Sequence, residues 1–181
     1  MLKIKEINAG LVILKKHKGE IYTLIGSYQD KNNEKIYTFP GGSYSKIYDK
    51  TSLHTAVREL IEEVFNIKIA QSKLDEIVKN INEKELLIDE YIYKPKKFIT
   101  YFGDFKILNF IFKSIYNYKF NLYEFLAFRN KKINEEIIAK DGLDEFVKIH
   151  FIKLNDLNNT KIKLRLISKY VLNQIYLLFD F

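Results

Sequence analysis

The sequence predicts an α/β fold in which strands and helices form the packed layers of one domain. Apolar and aromatic runs of strand length lie before and after one strongly amphipathic helix, and a second apolar helix closes the chain. The length of 181 residues suits a single domain, and a hydrophobic content of 47% provides enough apolar surface for a core. We therefore expect one domain over residues 1–181.

The N-terminal part of the chain predicts three strands and a glycine turn. Residues 9–14 are a continuous apolar run, and residues 21–28 follow a polar turn, so the two segments predict a hairpin. The polar residues 30–35 predict a loop, and residues 36–39 predict a short strand. Residues 40–42, Pro-Gly-Gly, end that strand.

A helix with three glutamates on its polar side is predicted next. Thr51 or Ser52 supplies its N-cap, because a hydroxyl oxygen accepts from a free backbone N–H there. The apolar residues follow helical spacing: Leu53, Ala56, Val57, Leu60, Ile61 and Val64. Glu59, Glu62 and Glu63 lie on the opposite side, within about one turn of each other.

The rest of the chain gives weaker patterns. Residues 73–81 predict a helix, residues 130–144 a loop, residues 146–154 a strand and residues 164–178 the closing helix. Three aromatic runs, at residues 98–101, 108–115 and 123–129, fit strands, although the second also fits a helix. We treat residues 73–121 as an elaborated segment of the domain.

Composition narrows the chemistry and the partners. The absence of cysteine excludes disulfides, thiolate metal sites and cysteine nucleophiles. The formal net charge of +7 favours anionic partners such as nucleotides or nucleic acid, although heavy use of Lys, Asn, Ile and Tyr also fits A+T-rich coding. Charged residues interrupt the apolar stretches at both ends, so neither predicts a signal peptide or a membrane span.

The three glutamates and the diglycine form a plausible site for a divalent cation. Like charges one turn apart weaken a helix unless something compensates them, and Arg58 offers only part of that compensation. Carboxylate oxygens are hard ligands that suit Mg²⁺ or Mn²⁺. Gly41 and Gly42 lead from a strand into the loop before this helix, where glycine lets the backbone approach a ligand closely. The alternative is a solvated helix face held by surface ion pairs.

These residues resemble the signature of the Nudix hydrolases, G-x5-E-x7-R-E-U-x-E-E-x-G-U, where U is a bulky aliphatic residue. Residues 41–67 read GGSYSKIYDKTSLHTAVRELIEEVFNI, and Arg58, Glu59, Leu60, Glu62 and Glu63 match R-E-U-x-E-E without a gap. Fifteen residues separate Gly42 from Arg58, where the signature has thirteen. Lys50 stands where the first signature Glu falls, and Phe65 stands where the late Gly falls.

The resemblance implies a Nudix-like α/β/α sandwich with a central mixed sheet, and it implies roles for particular residues. Arg58, Glu59, Glu62 and Glu63 would be catalytic, and these three glutamates and Gly41 would bind Mg²⁺ or Mn²⁺. Asp49 would pair with Arg58, because Lys50 occupies the position of the supporting acid. An additional acidic ligand often comes from a later loop of the family, for which we consider Glu135, Glu136, Asp144 and Glu145 and favour Glu145. Substrate contacts are predicted at Gly42, Lys50 and Lys97.

The function implied by the resemblance is cleavage of a diphosphate bond in a nucleoside-diphosphate-linked substrate. We favour capped mRNA, with release of m7GDP, since the chain is basic and looks like the decapping Nudix proteins of large cytoplasmic DNA viruses. That reading places the protein in the cytoplasm, the host's if the protein is viral, and a homodimer is a further expectation. The alternatives are a pyrophosphatase of free nucleotides, dinucleoside polyphosphates or diphosphoinositol phosphates, and a binding module without catalysis.

Overall fold

The computed structural model describes residues 6–93, 95–116, 121–135, 146, 148–158 and 161–179. Its strands are β1 (Glu6–His17), β2 (Glu20–Gln29), β3 (Lys35–Thr38), β4 (Gly42–Ser43), β5 (Leu87–Tyr93), β6 (Lys96–Asp104), β7 (Lys148–Lys153) and β8 (Lys163–Leu164). Its α-helices are α1 (Ser52–Phe65), α2 (Gln71–Asn80), α3 (Phe105–Ile115), α4 (Leu122–Glu135) and α5 (Leu166–Leu178).

The strands form one mixed sheet in the order β5-β6-β1-β2-β3-β8. The pairs β1–β6 and β3–β8 are parallel, whereas β1–β2, β2–β3 and β5–β6 are antiparallel. The long strand β1 pairs with β6 along one edge, and its other edge is divided between β4 and β2. Strands β4 and β2 pair with different parts of β1, and the candidate site lies beside the diglycine, where β4 begins.

Side chains alternate across β1 and pack against helices on both faces of the sheet. Leu11 and Ile13 are fully buried in a core shared with α1, α2, α3 and α4. Val12 and Leu14 face the opposite way, into a second core shared with α5. The predicted α/β/α sandwich with a central mixed sheet is therefore confirmed.

The ends of α1 show how local sequence positions the glutamates. Thr51 accepts a hydrogen bond from the His54 N–H and caps the helix, as predicted. At the other end Asn66 takes the left-handed conformation, with φ of 54°. Asparagine tolerates this conformation, so it ends the helix one residue after the position of the signature Gly, which Phe65 occupies.

The strand prediction for residues 123–129 is wrong, because this segment lies inside α4. The helical alternative for residues 108–115 is confirmed by α3. Asp104 caps α3 by accepting from the Lys106 and Ile107 N–H groups, and Asn121 accepts from the Tyr123 N–H at the start of α4. These caps and the packing of the aromatic side chains outweigh the strand preference of the aromatic residues.

The loop predicted at residues 130–144 is also corrected in part, because residues 130–135 continue α4. Residues 136–144 lie outside the described residues. Strand β5 was not predicted. It is an edge strand with several exposed apolar residues, so its sequence does not show the alternation of apolar and polar residues that predicts a strand.

Candidate functional site

A tight backbone contact between β1 and residues 40–42 forms the floor of the candidate site. A Cβ atom on Gly10 would lie 2.5 Å from the Pro40 carbonyl oxygen, and a Cβ on Gly41 would lie 2.9 Å from the Ala9 carbonyl oxygen. Gly42 pairs with Ala9 in the short β4 ladder. Only glycine permits the two backbones to approach this closely, so glycine is required at positions 10 and 41.

Two glutamates of α1 lie directly against this diglycine. A Cβ on Gly42 would meet the Glu59 carboxylate at 2.3 to 2.5 Å, so the missing side chain makes the space that this carboxylate occupies. The Gly41 N–H donates to Glu63 Oε2 at 2.8 Å, and Glu63 is only 4% exposed. The helix and the bend are thus joined through the carboxylates that the sequence singled out.

Arg58 organises the acidic groups from the centre of the site. Its Nη1 contacts Glu59 Oε1 at 2.7 Å and Glu62 Oε2 at 3.1 Å, which places these two carboxylates side by side. Its Nη2 also donates to the Ser43 carbonyl oxygen at 3.0 Å. One guanidinium therefore links α1 to the strand that follows the diglycine.

Asp49 is the acidic partner of Arg58, which confirms the predicted pairing. Arg58 Nε and Nη2 donate to the two Asp49 oxygens at 3.0 and 2.9 Å, a bidentate pair, and the Asp49 side chain is fully buried. The Ser45 N–H donates to the same carboxylate at 2.7 Å. Burial would lower the pKa of Arg58, but the hydrogen bonds to Asp49 and the charges of Glu59 and Glu62 outweigh burial and raise it.

The donor chemistry of α1 and the bend fits a hard divalent cation. Glu59, Glu62 and Glu63 offer carboxylate oxygens, and the Glu59 and Glu62 side chains keep 17% and 22% of their surface exposed. Across the described residues, however, no three acidic or histidine side chains are gathered around one point. Arg58 holds two of the carboxylates and the Gly41 N–H holds the third, so a cation would have to compete with these contacts.

A cavity of about 830 Å³ extends from this acidic cluster across the sheet to α5. Glu59, Gly41 and Gly42 line one part of it. The remaining wall includes three aromatic side chains, three basic side chains and one buried amide: Tyr91, Phe98, Tyr170, Lys96, Arg165, Lys169 and Asn8. The volume matches that of a site for a nucleotide-sized ligand.

The aromatic side chains form a continuous wall between β5, β6 and α5. Tyr91 stacks on Tyr170 with ring centroids 3.9 Å apart, and Phe98 lies 6.5 Å from Tyr91. Burial and the nearby Asp89 raise the pKa of Tyr170 to about 12. This hydroxyl is therefore protonated at neutral pH, so Tyr170 adds no charge to the aromatic part of the wall.

The structure places the other predicted site residues elsewhere. Lys50 pairs with Asp75 of α2, and Lys97 pairs with Glu90 of β5 at 2.8 Å; neither lines the cavity. Lys96, one residue earlier, does line it. Glu145 lies outside the described residues.

Sequence reasoning missed the residues on the far part of the cavity wall. Lys96, Phe98 and Thr100 alternate along β6 and line the cavity together with Ile99, so alternation could have indicated most of this face. Arg165 and Lys169 come from the start of α5, at least one hundred residues after the end of α1, and no local pattern predicts that they share a cavity with α1.

No family model and no curated protein matches this sequence. Solved structures do match. A bifunctional NMN adenylyltransferase/ADP-ribose pyrophosphatase from Francisella tularensis is 11% identical with a TM-score of 0.53, over 97% of this chain and 41% of that chain. A MutT/nudix family protein from Enterococcus faecalis is 12% identical with a TM-score of 0.50, over 94% of this chain and 61% of that chain.

A Caenorhabditis elegans Ap4A hydrolase is 22% identical, over 55% of this chain and 65% of that chain, with a TM-score of 0.33. This chain therefore spans less than two thirds of the length of each of these three proteins. None of the three is a viral protein or a decapping enzyme by name. The first two matches show that this chain has the fold of Nudix proteins.

No helix among the described residues is long and apolar enough to span a membrane.

Proposed function

We propose that this protein hydrolyses a diphosphate bond in a nucleoside-diphosphate-linked substrate, with Mg²⁺ or Mn²⁺ bound beside α1. The observation that carries the proposal is the position of the acidic cluster. Glu59 and Glu63 lie against the diglycine bend, and Arg58 holds Glu62 beside Glu59 where the cavity begins. A network of surface salt bridges would require neither a glycine beside the Glu59 carboxylate nor a cavity of nucleotide size next to the acidic residues.

The groups that would hold the cation are the carboxylates of Glu59, Glu62 and Glu63 and the Gly41 carbonyl, with Glu145 as a further ligand. Such a cation neutralises phosphate charge and lowers the pKa of a bound water. Another structure of the Francisella tularensis protein was solved with AMP and a manganese ion, and its TM-score to this chain is 0.53.

The other steps of the proposed reaction are assigned to residues of this chain. Asp49 fixes the plane of the Arg58 guanidinium, and Arg58 keeps two glutamates oriented toward the bend. Glu59 lines the cavity, so we assign it as the group that takes a proton from the attacking water. Gly42 leaves room for the Glu59 carboxylate beside the bend, where this carboxylate lines the cavity.

The cavity wall favours a substrate that carries a nucleobase. Tyr91, Phe98 and Tyr170 offer faces for base stacking, which is worth about 1 to 3 kcal/mol per base. Among such substrates we propose capped mRNA, cleaved to m7GDP and 5′-monophosphate RNA, because the net charge of +7 favours binding along a phosphate backbone. A cytoplasmic location is proposed together with this substrate, and a homodimer stays a prediction.

The test is a substrate panel with Mg²⁺ and with Mn²⁺, comparing the wild type with Glu62→Gln. Glu76→Gln is the matched control, since Glu76 is an exposed glutamate of α2 that pairs with Lys73. We expect hydrolysis by the wild type and the control and little by Glu62→Gln. Hydrolysis that is independent of Glu62 would remove the metal-site assignment, and inactivity of all three proteins would favour the binding module.

Cap-labelled RNA and free cap analogue separate the finer alternatives. Faster cleavage of long RNA, with a preference that declines as salt rises, supports decapping. A preference for free cap analogue, dinucleoside polyphosphates or diphosphoinositol phosphates instead assigns the protein to small-molecule substrates.

A further inference from the structure

Strand β5 is an outer edge of the sheet, and its sequence protects that edge only weakly. Within the described part of the chain β5 pairs with β6 alone, so the backbone groups on its other side have no strand to pair with. Edge strands are usually short, or carry lysine, proline or a bulge. Residues 87–93 read LIDEYIY, with neither lysine nor proline, and their ladder with β6 is continuous over all seven residues. This edge is therefore a template for a further strand.

Exposed apolar side chains border this edge on both faces of the sheet. On one face, Ile88 and Ile92 are 51% and 53% exposed, although they lie in a regular strand. On the other face, Tyr91 stacks on Tyr170 of α5, and Leu177, which shares a helical face with Tyr170, is 74% exposed. Burial of this apolar surface against another molecule would be favourable.

The sequence of β5 is symmetric about Glu90. Ile88 and Ile92 lie two residues to either side of it, and alternation places all three side chains on one face. When a second β5 pairs antiparallel with Glu90 opposite Glu90, Ile88 of each copy lies opposite Ile92 of the other. In every such pair both residues are odd-numbered or both are even-numbered, so outward backbone groups of one copy meet outward groups of the other.

The one repulsive contact in this register is balanced within each copy. Two Glu90 carboxylates lie opposite each other, which alone destabilises a strand pair. Lys97 of β6 pairs with Glu90 at 2.8 Å and offsets that charge. A peptide of unrelated sequence has no reason to carry apolar residues at the spacing of Ile88 and Ile92, so the partner that this strand fits is a second copy of the chain.

We propose that this protein forms a twofold symmetric dimer in which β5 of each copy pairs antiparallel with β5 of the other, centred on Glu90. The two sheets continue into one, and the exposed isoleucines are buried as cross-strand pairs. Because both copies use the same surface, the assembly closes at two. The aromatic wall of each cavity, which includes Tyr91, then lies beside the interface. The dimer does not depend on the proposed hydrolysis.

Sedimentation velocity tests whether the edge associates. We expect the wild type to be dimeric at about 100 µM protein, as for a dissociation constant in the micromolar range. Ile88→Lys places a charge opposite Ile92 of the second copy and should raise the dissociation constant at least about tenfold. The control Ile47→Lys introduces the same charge at an isoleucine that is 83% exposed and lies between β4 and α1, and it should dimerise like the wild type. A monomeric wild type, or undiminished association of Ile88→Lys, overturns the proposal.

Cysteine cross-linking tests the register, because the chain has no cysteine of its own. Opposite residues of an antiparallel pair have Cα atoms about 4.5 to 5.5 Å apart, within reach of a disulfide. Glu90→Cys should therefore form a covalent dimer under mild oxidation, visible on a non-reducing gel. The two copies of position 88 lie four positions apart along the strand pair, about 13 Å, so the matched control Ile88→Cys should not cross-link. Absence of the Glu90→Cys dimer, or equal cross-linking of both variants, overturns the proposed pairing.

Discussion

The two parts of the cavity differ in how their charges are satisfied. At the acidic part, Arg58, Asp49 and the Gly41 N–H hold the carboxylates of α1 in a network of short contacts. At the basic part, Lys96 pairs with Glu6 at 2.9 Å, whereas Arg165 and Lys169, at the start of α5, take part in no ion pair among the described residues. The acidic groups are therefore held by contacts within the protein, whereas two of the basic side chains are exposed and make no such contact among the described residues.

This difference suggests different roles for the two parts, catalysis at the acidic part and substrate selection at the basic part. Groups that must hold a cation or move a proton need a fixed geometry, because small displacements cost large factors in rate. Groups that select a substrate by charge act over a longer range and tolerate mobility. We therefore expect changes at the acidic part to affect kcat, and changes at the basic part to affect KM.

The largest expected effect comes from Glu63→Gln. The glutamine oxygen can still accept from the Gly41 N–H, so the bend should keep its shape while one negative charge is lost. We expect kcat to fall about 10²- to 10⁴-fold, the usual range for loss of a group that acts in proton transfer or holds a catalytic metal. Steady-state kinetics measure this, with Glu76→Gln as the control. A kcat within a factor of two of the wild type would contradict the division of tasks.

The second effect concerns stability and comes from Arg129 of α4. This residue is only 4% exposed, and its Nη2 donates to the carbonyl oxygens of Glu63 and Phe146 at 2.9 and 2.8 Å. Arg129→Leu should lower the free energy of unfolding by about 3 kcal/mol, because two buried acceptors lose their donor. Urea unfolding measures the change. Lys131→Leu removes the same charge from an exposed position of α4 and should change stability little; equal losses in both variants would show that Arg129 does not anchor α1.

A smaller effect is expected from Asp49→Asn, which keeps the shape of the side chain but removes its charge. Arg58 then loses its charged bidentate partner and is less firmly oriented toward Glu59 and Glu62. We expect kcat to fall about 10- to 100-fold, as for other residues that orient metal ligands. The weaker metal binding should also raise the Mn²⁺ concentration needed for half-maximal activity. Asp156→Asn, at an exposed position, is the control; an unchanged Mn²⁺ requirement would contradict the orienting role.

The smallest expected effect comes from His150 and concerns the stability of the fold, not the candidate site. Burial lowers the pKa of His150 to about 4, and the nearby Lys35 and Lys148 add to this effect. Between about pH 4 and the ordinary value of 6.5 the unfolded chain binds more protons than the folded chain, so stability rises with pH across this window and is fully present above it. The full shift would correspond to about 3 kcal/mol at pH 4, and because His150 is only partly buried we expect a loss on the order of 1 to 2 kcal/mol between pH 7 and pH 4.

Unfolding at both pH values, compared with His150→Gln, measures that contribution. The variant should lose less stability than the wild type on acidification. Equal losses would show that this histidine is not the group responsible. His150 does not line the cavity. The result therefore also shows how much of any loss of activity in acid comes from unfolding and not from protonation of the site.

The acidic part of the cavity could be predicted from sequence because its members are close in the chain. Helical periodicity places the glutamates on one face, and Asp49, the acid next to the position of the missing signature Glu, is the predicted partner of Arg58. The basic part could not be predicted, because Lys96, Arg165 and Asn8 come to line one cavity only through the parallel β1–β6 pairing and the return of α5. The aromatic segment of α4 was misread for a similar reason: its side chains pack with Phe65 and Phe112, contacts that outweigh local strand preference.

The most direct test of the account is an anomalous difference map from crystals soaked in manganese chloride. The account predicts a peak within bonding distance of Glu59 and the Gly41 carbonyl, and its absence from crystals of Glu63→Gln or its clear weakening there. Crystals of the wild type without a peak at that position, under conditions in which the protein is folded, would contradict it.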